Sequence, residues 1–410
     1  MDLVYKIFQS SLFKASGVYG VTSILNSAIP FFLMPVLTRY LTPEDYGIVS
    51  VFTTLASILG VFIGLSIHGA INRVYFEKEI NFKEYISNCL LILLISFVLV
   101  FLAVLTFSNY ISKFSGVPVN WVIFAVIFTL FQFLILLNLV IYQAKMQAKY
   151  YAIFQLGQTI MNFVLSIIFV VVFGMNWQGR LIANSIAVMF FGFISFYTIT
   201  KNYLDLRLNK KYLIHALKFG VPLIPHTLGG LFMTTSSMFI ITNILGLTET
   251  GIYVVGLQIG SIISILADAF NRAYSPWLFS KLNLNDESVK IKIVKFTYFY
   301  FFCIIFISLI LGVSAPLIVD VLLGKSFQAS SEVIIWIALG SAFKGMYYMV
   351  VNYIFYVYKT YFLTWITFFN GIINIPLTIL LTKINGVIGA SQAYCMILLL
   401  MFIMTWILSS

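Results

Sequence analysis

The stretch Ser87–Phe107, SNCLLILLISFVLVFLAVLTF, carries no charged side chain. Its length, about 20 residues, is what an α-helix needs to cross the hydrocarbon core of a bilayer. The whole chain has the same character, because 61% of its 410 residues are hydrophobic and only 9% are charged. A soluble domain is roughly a quarter charged. The composition therefore excludes an ordinary water-soluble protein and predicts a chain whose solvent is lipid.

Apolar runs of this kind recur along the chain, separated by polar residues, glycine or proline. They predict an all-α integral membrane protein with about 12 transmembrane helices. The first stretch, residues 1–15, alternates apolar side chains with Lys6 and Lys14, which indicates an amphipathic helix at the interface rather than a signal peptide. The predicted spans are residues 16–38, 47–69, 87–107, 121–143, 152–173, 180–200, 220–245, 252–270, 294–313, 333–357, 362–382 and 388–408.

The charge balance, 24 Lys and Arg against 13 Asp and Glu, orients these helices. Basic residues collect in the cytoplasmic loops of membrane proteins, so the excess does not indicate nucleic-acid binding. If the N-terminus is cytoplasmic, Lys344 lies within a span and 18 of the other 23 basic residues face the cytoplasm. The five on the opposite side are Arg39, Lys113, Arg180, Lys325 and Lys383. We therefore predict that both termini are cytoplasmic.

Two similar segments, Ala70–Tyr75 (AINRVY) and Ala269–Tyr274 (AFNRAY), indicate an internal repeat. In each half the order along the chain is the same: a first motif, then an apolar span, then one of these segments. The first motif is Leu41–Gly47 (LTPEDYG) in the first half and Leu247–Tyr253 (LTETGIY) in the second. Because six spans are an even number, the chain returns to the cytoplasmic side after the first half, and both halves begin on that side. This predicts two six-helix lobes, related as parallel repeats around a central cavity, which is an architecture of transporters.

The repeat also predicts the division of the chain. An N-terminal lobe over residues 1–200 would hold the amphipathic lead-in and the first six spans. A C-terminal lobe over residues 220–410 would hold the other six. The basic stretch 201–219 between them is predicted to be a cytoplasmic linker.

Ionisable side chains at membrane depth are costly, which makes them candidate functional residues. Lys344 lies near the middle of its predicted span, where it either snorkels, pairs with a carboxylate or holds an anionic substrate. Arg73 and Arg272 occupy equivalent places in the repeat, and we interpret them as two cations facing one cavity, since arginine suits bidentate phosphate capture. Asp268 precedes Arg272 by one helical turn, so it either orients that arginine or titrates with an ion gradient.

The seventh predicted span opens with Phe219–His226, FGVPLIPH, and two glycines follow. Its prolines and glycines weaken the helical hydrogen-bond ladder, which indicates a hinge; ordinary tolerance of both residues in membrane helices is the alternative. His226 is a candidate coupling residue, although hydrogen-bonded packing explains it more simply. The candidate hinge residues are Pro222, Pro225, Gly229 and Gly230.

Motifs of known enzymes are missing from the sequence. It has no nucleophile elbow, no phosphate-binding glycine-rich loop and no zinc-binding HExxH. We therefore predict no catalytic residues, no metal and no cofactor. The energy for transport would come from an H⁺ or Na⁺ gradient, from substrate flux or from pulling by downstream steps.

Several stretches resemble a known family. Gly17–Arg39, followed by Leu41–Gly47, is similar to the opening of polysaccharide-biosynthesis flippases of the O-antigen or teichoic-acid type. These belong to the multidrug/oligosaccharidyl-lipid/polysaccharide exporter superfamily. Phe219–His226 resembles the start of their second half, and Ala315–Leu317 with Leu322–Gly324 resembles the exit of their ninth span. The likeness covers essentially the whole chain.

The resemblance implies a flippase in the bacterial cytoplasmic (inner) membrane. Such a protein moves undecaprenyl-diphosphate-linked oligosaccharide, for example an O-antigen repeat unit, to the periplasmic leaflet by alternating access. A cationic cavity would take the diphosphate, and by position Arg73, Arg272 and Lys344 are its expected residues. The implied partners are the lipid-linked glycan, membrane lipid and a downstream polysaccharide polymerase.

Two other functions stay open. A cation-coupled multidrug exporter of the same superfamily ranks second, because its cavity would need carboxylates and the first six predicted spans contain none. A membrane-embedded glycan polymerase or ligase ranks third. Such an enzyme would ordinarily need a sizeable periplasmic loop, and the longest predicted outer loop covers only residues 314–332.

The predicted topology can be tested with reporter fusions. Green fluorescent protein fused after Ser410 should fluoresce, because that reporter folds only on the cytoplasmic side. Alkaline phosphatase fused at the same point should stay inactive, whereas a phosphatase fusion within residues 314–332 should be active. The opposite pattern would invert the assigned orientation.

Overall fold

Nearly every described residue of the computed structural model lies in a helix, as a lipid-solvated backbone requires. The structure describes residues 11–77, 79–205, 207–283, 286–356 and 361–409, with the backbone alone at 11–16, 233–234, 361–362 and 364. The predicted interfacial helix over residues 1–15 therefore lies mostly outside the described residues. In chain order the helices are α1 (Ser11–Tyr40), α2 (Pro43–Gly64), α3 (Ile67–Val74), α4 (Phe82–Ser115), α5 (Val119–Ala144), α6 (Ala148–Ser166, followed by a π turn over Ile167–Val172), α7 (Asn176–Tyr203), α8 (Lys210–Gly220, followed by a 3-10 turn over Val221–Leu223), α9 (Ile224–Ile244), α10 (Leu247–Gly260), α11 (Ile262–Leu282), α12 (Glu287–Val313), α13 (Ala315–Leu322, with a 3-10 turn over Lys325–Phe327), α14 (Ser330–Tyr356) and α15 (Tyr361–Ser409).

Most of these helices are long and apolar enough to cross a membrane. Within the described residues there are 10 such segments, or up to 11 if the bent pair Lys210–Phe232 and Thr235–Ile244 forms one span. The backbone of α15 is non-helical at Asn385 and Gly386, and each side of this break is about as long as one span. The prediction of a multi-pass, all-α membrane protein is confirmed, while the number of twelve spans stays a prediction.

The chain forms two compact units. The first contains α1 and the chain from Val51 to Leu228, and the second contains Thr42–Ser50 and the chain from Gly229 onward. In the first unit α6 packs against α1 and α7, and in the second unit α14 packs against α10, α11, α12 and α15. The second unit is thus arranged around α14.

The predicted basic linker is largely helical and belongs to the first unit. The backbone N–H of Asn209 donates to the side chain of Asn88 at 3.0 Å, and the Asn88 amide donates to the carbonyl of Arg207 at 3.2 Å. Further along, the Tyr85 hydroxyl and His215 Nδ1 are 3.0 Å apart. These bonds hold the start of α8 against the start of α4.

Two glycines of the repeated motifs allow α2 and α10 to cross closely within the second unit. A Cβ added at Gly47 would overlap the carbonyl of Leu247, and one added at Gly251 would overlap the carbonyl of Pro43. Gly47 precedes Gly251 by the same number of residues as Pro43 precedes Leu247. The crossing is therefore reciprocal, with each repeat supplying one glycine and one carbonyl.

The other residues of the LTPEDYG motif determine where α2 begins. The backbone N–H and the hydroxyl of Thr42 donate to Asp45 Oδ2 at 2.9 and 2.7 Å, and the Asp45 N–H donates back to the Thr42 hydroxyl at 3.2 Å. This reciprocal cap satisfies backbone donors that the first helical turn leaves open. Tyr46 packs edge-on against Phe327, with ring centroids 5.4 Å apart. The motif thus combines a helix cap, a buried ring and the glycine of the crossing.

The crossing predicts the effect of adding one methyl group. Gly47→Ala and Gly251→Ala should each destabilise the protein by about 1–3 kcal/mol, because a backbone carbonyl cannot move aside as a flexible side chain can. Differential scanning fluorimetry of the detergent-purified protein measures the loss as a lower Tm. Gly20→Ala is the control, since a Cβ there meets nothing within 4 Å. Helix propensity favours alanine there by roughly 0.5–1 kcal/mol. Equal melting of all three variants would contradict the close crossing.

Candidate functional site

Lys344 lies near the middle of α14 and is half-buried. The residue one turn further along the same face is Tyr348, and the Lys344 ammonium lies 5.6 Å from the centroid of its ring. A cation at this distance from an aromatic face is attracted to the electron-rich ring. The lysine is therefore held within the second unit by an aromatic side chain of its own helix.

The hydroxyl of the same tyrosine lies close enough to the carboxylate of Asp268 on α11 to interact with it. Tyr300 of α12 lies close enough to that carboxylate to interact with it electrostatically. The Tyr348 side chain thus has a cation, Lys344, near its ring and an anion, Asp268, near its hydroxyl.

Gly345 explains how three helices approach one another at this cluster. A Cβ there would lie 3.0 Å from the Ala267 Cβ on α11 and 3.1 Å from the Tyr300 hydroxyl on α12, and it would overlap Ile304. Only a glycine lets α14 pack this closely on both neighbours. This close packing places Asp268 of α11 near Tyr348 of α14.

Polar pairs continue this seam along α14. The Asn352 amide donates to Asn271 Oδ1 at 2.9 Å, and the Tyr356 hydroxyl donates to Asn283 Oδ1 at 2.8 Å. The α14 residues Lys344, Tyr348, Asn352 and Tyr356 follow one another at intervals of one helical turn. We call these four residues the α14 ladder.

The two arginines of the repeat have different surroundings. Arg73 pairs with Glu77 one turn later at 3.2 Å, and its side chain is 66% exposed. Arg272 is exposed on α11, and within the described part of the chain it forms no ion pair with Asp268. Arg73 belongs to the first unit and Arg272 to the second. Their facing one cavity together with Lys344 stays a prediction.

The predicted hinge residues lie around the junction of α8 and α9. Pro222 lies in the 3-10 turn Val221–Leu223, and His226 is exposed. The bend in this region, 57°, separates Phe232 from Thr235. A Cβ at Gly229 or Gly230 would meet nothing within 4 Å, so packing does not require glycine at either position. The glycines therefore contribute backbone freedom just before the bend, which is what a hinge needs.

The structure also brings together polar residues that the sequence pattern alone did not. Arg180 of α7 donates from one guanidinium nitrogen to Asn162 Oδ1 at 2.5 Å and to the Ser166 hydroxyl at 2.6 Å. The contact between Tyr348 and Asp268 was equally unforeseen. The sequence did contain one indication of the α14 ladder, because Lys344 and Tyr348 are one helical turn apart and so lie on the same face of the helix. No comparable spacing in the sequence indicated that Asp268 on α11 lies beside Tyr348.

Comparison with known proteins identifies the class. Among solved structures the chain is similar to an inward-facing multidrug resistance MATE family transporter of the MOP superfamily, with a TM-score of 0.68, 14% identity and 93% of each chain covered. It is also similar to the lipid II flippase MurJ, with a TM-score of 0.67, 15% identity and coverage of 96% of this chain and 86% of that one. The protein therefore has the fold of the MOP-superfamily transporters.

Comparison of sequences identifies the family. Residues 12–283, more than half of the chain, match the family described as Polysaccharide biosynthesis protein, and the chain belongs to that family. An uncharacterized membrane protein of Haemophilus influenzae is 28% identical over 371 residues, 85% of each chain. A protein of the Lsg locus of the same organism is 23% identical over 379 residues, covering 90% and 91% of the two chains. The resemblance drawn from the sequence is confirmed.

The link between Tyr348 and Asp268 can be tested by stability. Tyr348→Phe keeps the ring beside Lys344 but removes the hydroxyl, so it should cost on the order of 1 kcal/mol. Tyr347→Phe removes a hydroxyl from the adjacent residue and serves as the matched control. Thermal unfolding in detergent would measure both variants. An equal loss in the two would show that the Asp268 contact contributes nothing.

Proposed function

We propose that the protein is a flippase for undecaprenyl-diphosphate-linked oligosaccharide. It moves an O-antigen or similar repeat unit from the cytoplasmic to the outer leaflet of the bacterial inner membrane by alternating access. The observation that carries this proposal is the half-buried cation of Lys344, held on a polar ladder at membrane depth, in a member of a polysaccharide-biosynthesis family. The lipid II flippase among its structural neighbours supports the same kind of substrate.

The chemistry of the headgroup supports a role for cations. A diphosphate carries negative charge into a region where water is scarce, and Coulomb attraction is much stronger there than in bulk water. Lys344, Arg73 and Arg272 are the proposed substrate contacts, with the two arginines suited to bidentate phosphate binding. The polyprenyl tail would stay in the bilayer. The protein would therefore work by binding and reorientation and not by bond chemistry.

Asp268 is the proposed coupling residue. Its carboxylate shares Tyr348 with Lys344, so a change in the charge of either group changes the environment of the other. An H⁺ gradient could act by protonating this carboxylate, and a Na⁺ gradient by binding to it. Pro222, Pro225, Gly229 and Gly230 are the proposed hinge, with His226 beside them. A downstream polysaccharide polymerase would consume the product.

A multidrug exporter is the second candidate, because MATE transporters are among the structural neighbours. An exporter of organic cations would use carboxylates where a flippase uses cations. Binding of a lipophilic fluorescent cation such as ethidium to the purified protein distinguishes the two. Tight binding that Asp268→Asn abolishes would favour the exporter.

The first experiment is transbilayer movement of the native undecaprenyl-diphosphate glycan in proteoliposomes, with and without an ion gradient. Arg73→Ala, Arg272→Ala and Lys344→Ala should each slow movement about tenfold or more, the size expected when a hydrogen bond to a charged group is lost. Arg207→Ala is the matched control for Arg73→Ala, because Arg207 is also an exposed arginine paired with an acid, Asp205, at 3.8 Å.

The possible outcomes test the flippase activity separately from the roles of the three basic residues. Movement by the wild type that survives all three substitutions would keep the flippase but reduce these residues to topological anchors. Absence of movement by folded wild-type protein, under either gradient, would overturn the proposed function. Melting temperatures of all variants, measured in parallel, exclude unfolding as the cause of a loss.

A further inference from the structure

From Tyr151 to Ser166, the polar side chains of α6 lie on one face of that helix. Between the first and the last of them the helix rises about 22 Å, most of the roughly 30 Å hydrocarbon core. At 3.6 residues per turn they fall within an arc of about 100°. The opposite face presents the apolar Ile153, Ile160 and Val164, which are 59%, 51% and 47% exposed. The residues of this polar face are Tyr151, Gln155, Gln158, Thr159, Asn162 and Ser166.

The polar face of α6 packs against α1, within the first unit. The Thr159 hydroxyl donates a short hydrogen bond to Asn26 Oδ1 of α1. Tyr19 of α1 packs edge-on against Tyr151, with ring centroids 5.0 Å apart. We call the polar face of α6 together with Tyr19 and Asn26 the α1–α6 seam.

Two buried polar atoms in the seam have no hydrogen-bond partner among the described residues, the Tyr19 hydroxyl and Gln155 Oε1. A buried polar atom without a partner costs about 1–3 kcal/mol. Phenylalanine and leucine would fill these places without that cost. Stability alone therefore does not account for the two side chains, and an external ligand would supply the missing partners.

The chemistry of the seam indicates the kind of ligand. The groups that α1 and α6 contribute are hydroxyls, amides and two aromatic rings, all of them uncharged. The guanidinium of Arg180 from α7 meets the seam at one end, where it donates to Asn162 and Ser166. An organic cation would require carboxylates, and a diphosphate would require cations along the seam. Sugar rings present many hydroxyls that both donate and accept, together with apolar ring faces that pack on tyrosine.

We infer that the α1–α6 seam binds the uncharged sugar residues of the glycan. The inference rests on the proposed function, whose cationic residues would take the diphosphate instead. Sugar hydroxyls would then satisfy the Tyr19 hydroxyl and Gln155 when α1 and α6 separate to admit the glycan.

Saturation-transfer NMR tests the seam without transport. The probe is the oligosaccharide released by mild acid from the lipid-linked pool of the source cells, added to detergent-purified protein. Thr159→Val should weaken its binding about three- to tenfold, the size of one lost neutral hydrogen bond. Thr159→Ser keeps the hydroxyl and should bind as the wild type does. Thr106→Val, an identical change at an exposed position of α4, should have no effect.

A second variant separates binding from folding. Tyr19→Phe removes a buried hydroxyl that has no partner, so it should raise the Tm while weakening glycan binding by a similar factor. A purely structural tyrosine would leave glycan binding unchanged. This opposite movement of the two readouts is the signature of a side chain kept for a ligand.

The outcomes distinguish the seam from the flippase. Absence of binding by the wild type, or equal binding by wild type, Thr159→Val and Tyr19→Phe, would overturn the seam while leaving transport of the lipid-linked glycan in proteoliposomes untouched. Binding that follows the expected pattern, without transport by the wild type, would support the seam as a carbohydrate site and overturn the flippase.

Discussion

The absence of water in the hydrocarbon core is the constraint on which the rest of the structure depends. Each backbone N–H and C=O must find its partner inside its own helix, so the chain becomes a set of long helices with short connections. Hydrogen-bonding capacity at membrane depth is then confined to side chains. In this protein two polar helix faces carry part of it, one on α14 in the second unit and one on α6 in the first.

These two faces differ in charge, and the difference determines which kind of ligand group each face can bind. The α14 ladder carries a cation and contacts a carboxylate, so it interacts strongly with any charge that enters its surroundings. The side chains that α1 and α6 contribute to the α1–α6 seam are uncharged, with Arg180 contacting one end, and the binding energy of the seam would come from many weak hydrogen bonds. A headgroup that joins a diphosphate to sugars presents both kinds of chemistry, which is why the two proposals concern one substrate.

Much of the fold was predictable because it depends on patterns local to the chain. Apolar runs predicted the helices, and soft motifs such as LTPEDYG indicated the family. The role of Gly47 in that motif was not predictable, since it depends on the Leu247 carbonyl in a distant helix. That the basic stretch 201–219 connects two lobes stays a prediction, and the contacts of Asn88 and Tyr85 that hold its helix against the start of α4 were not predictable. The density of basic residues in this stretch indicates on which side of the membrane it lies, but it does not indicate which helices the stretch contacts.

The sequence by itself determined the solvent, the helical class, the family and the position of Lys344 within a span. These follow from composition and from the spacing of residues along one helix, which local geometry converts directly into a face. Only the tertiary structure decided that Tyr348 lies near both Lys344 and Asp268 and that Thr159 meets Asn26. Those pairings depend on which helices become neighbours, and that is set by close packing at small residues such as Gly345, far along the chain from some of the groups it brings together.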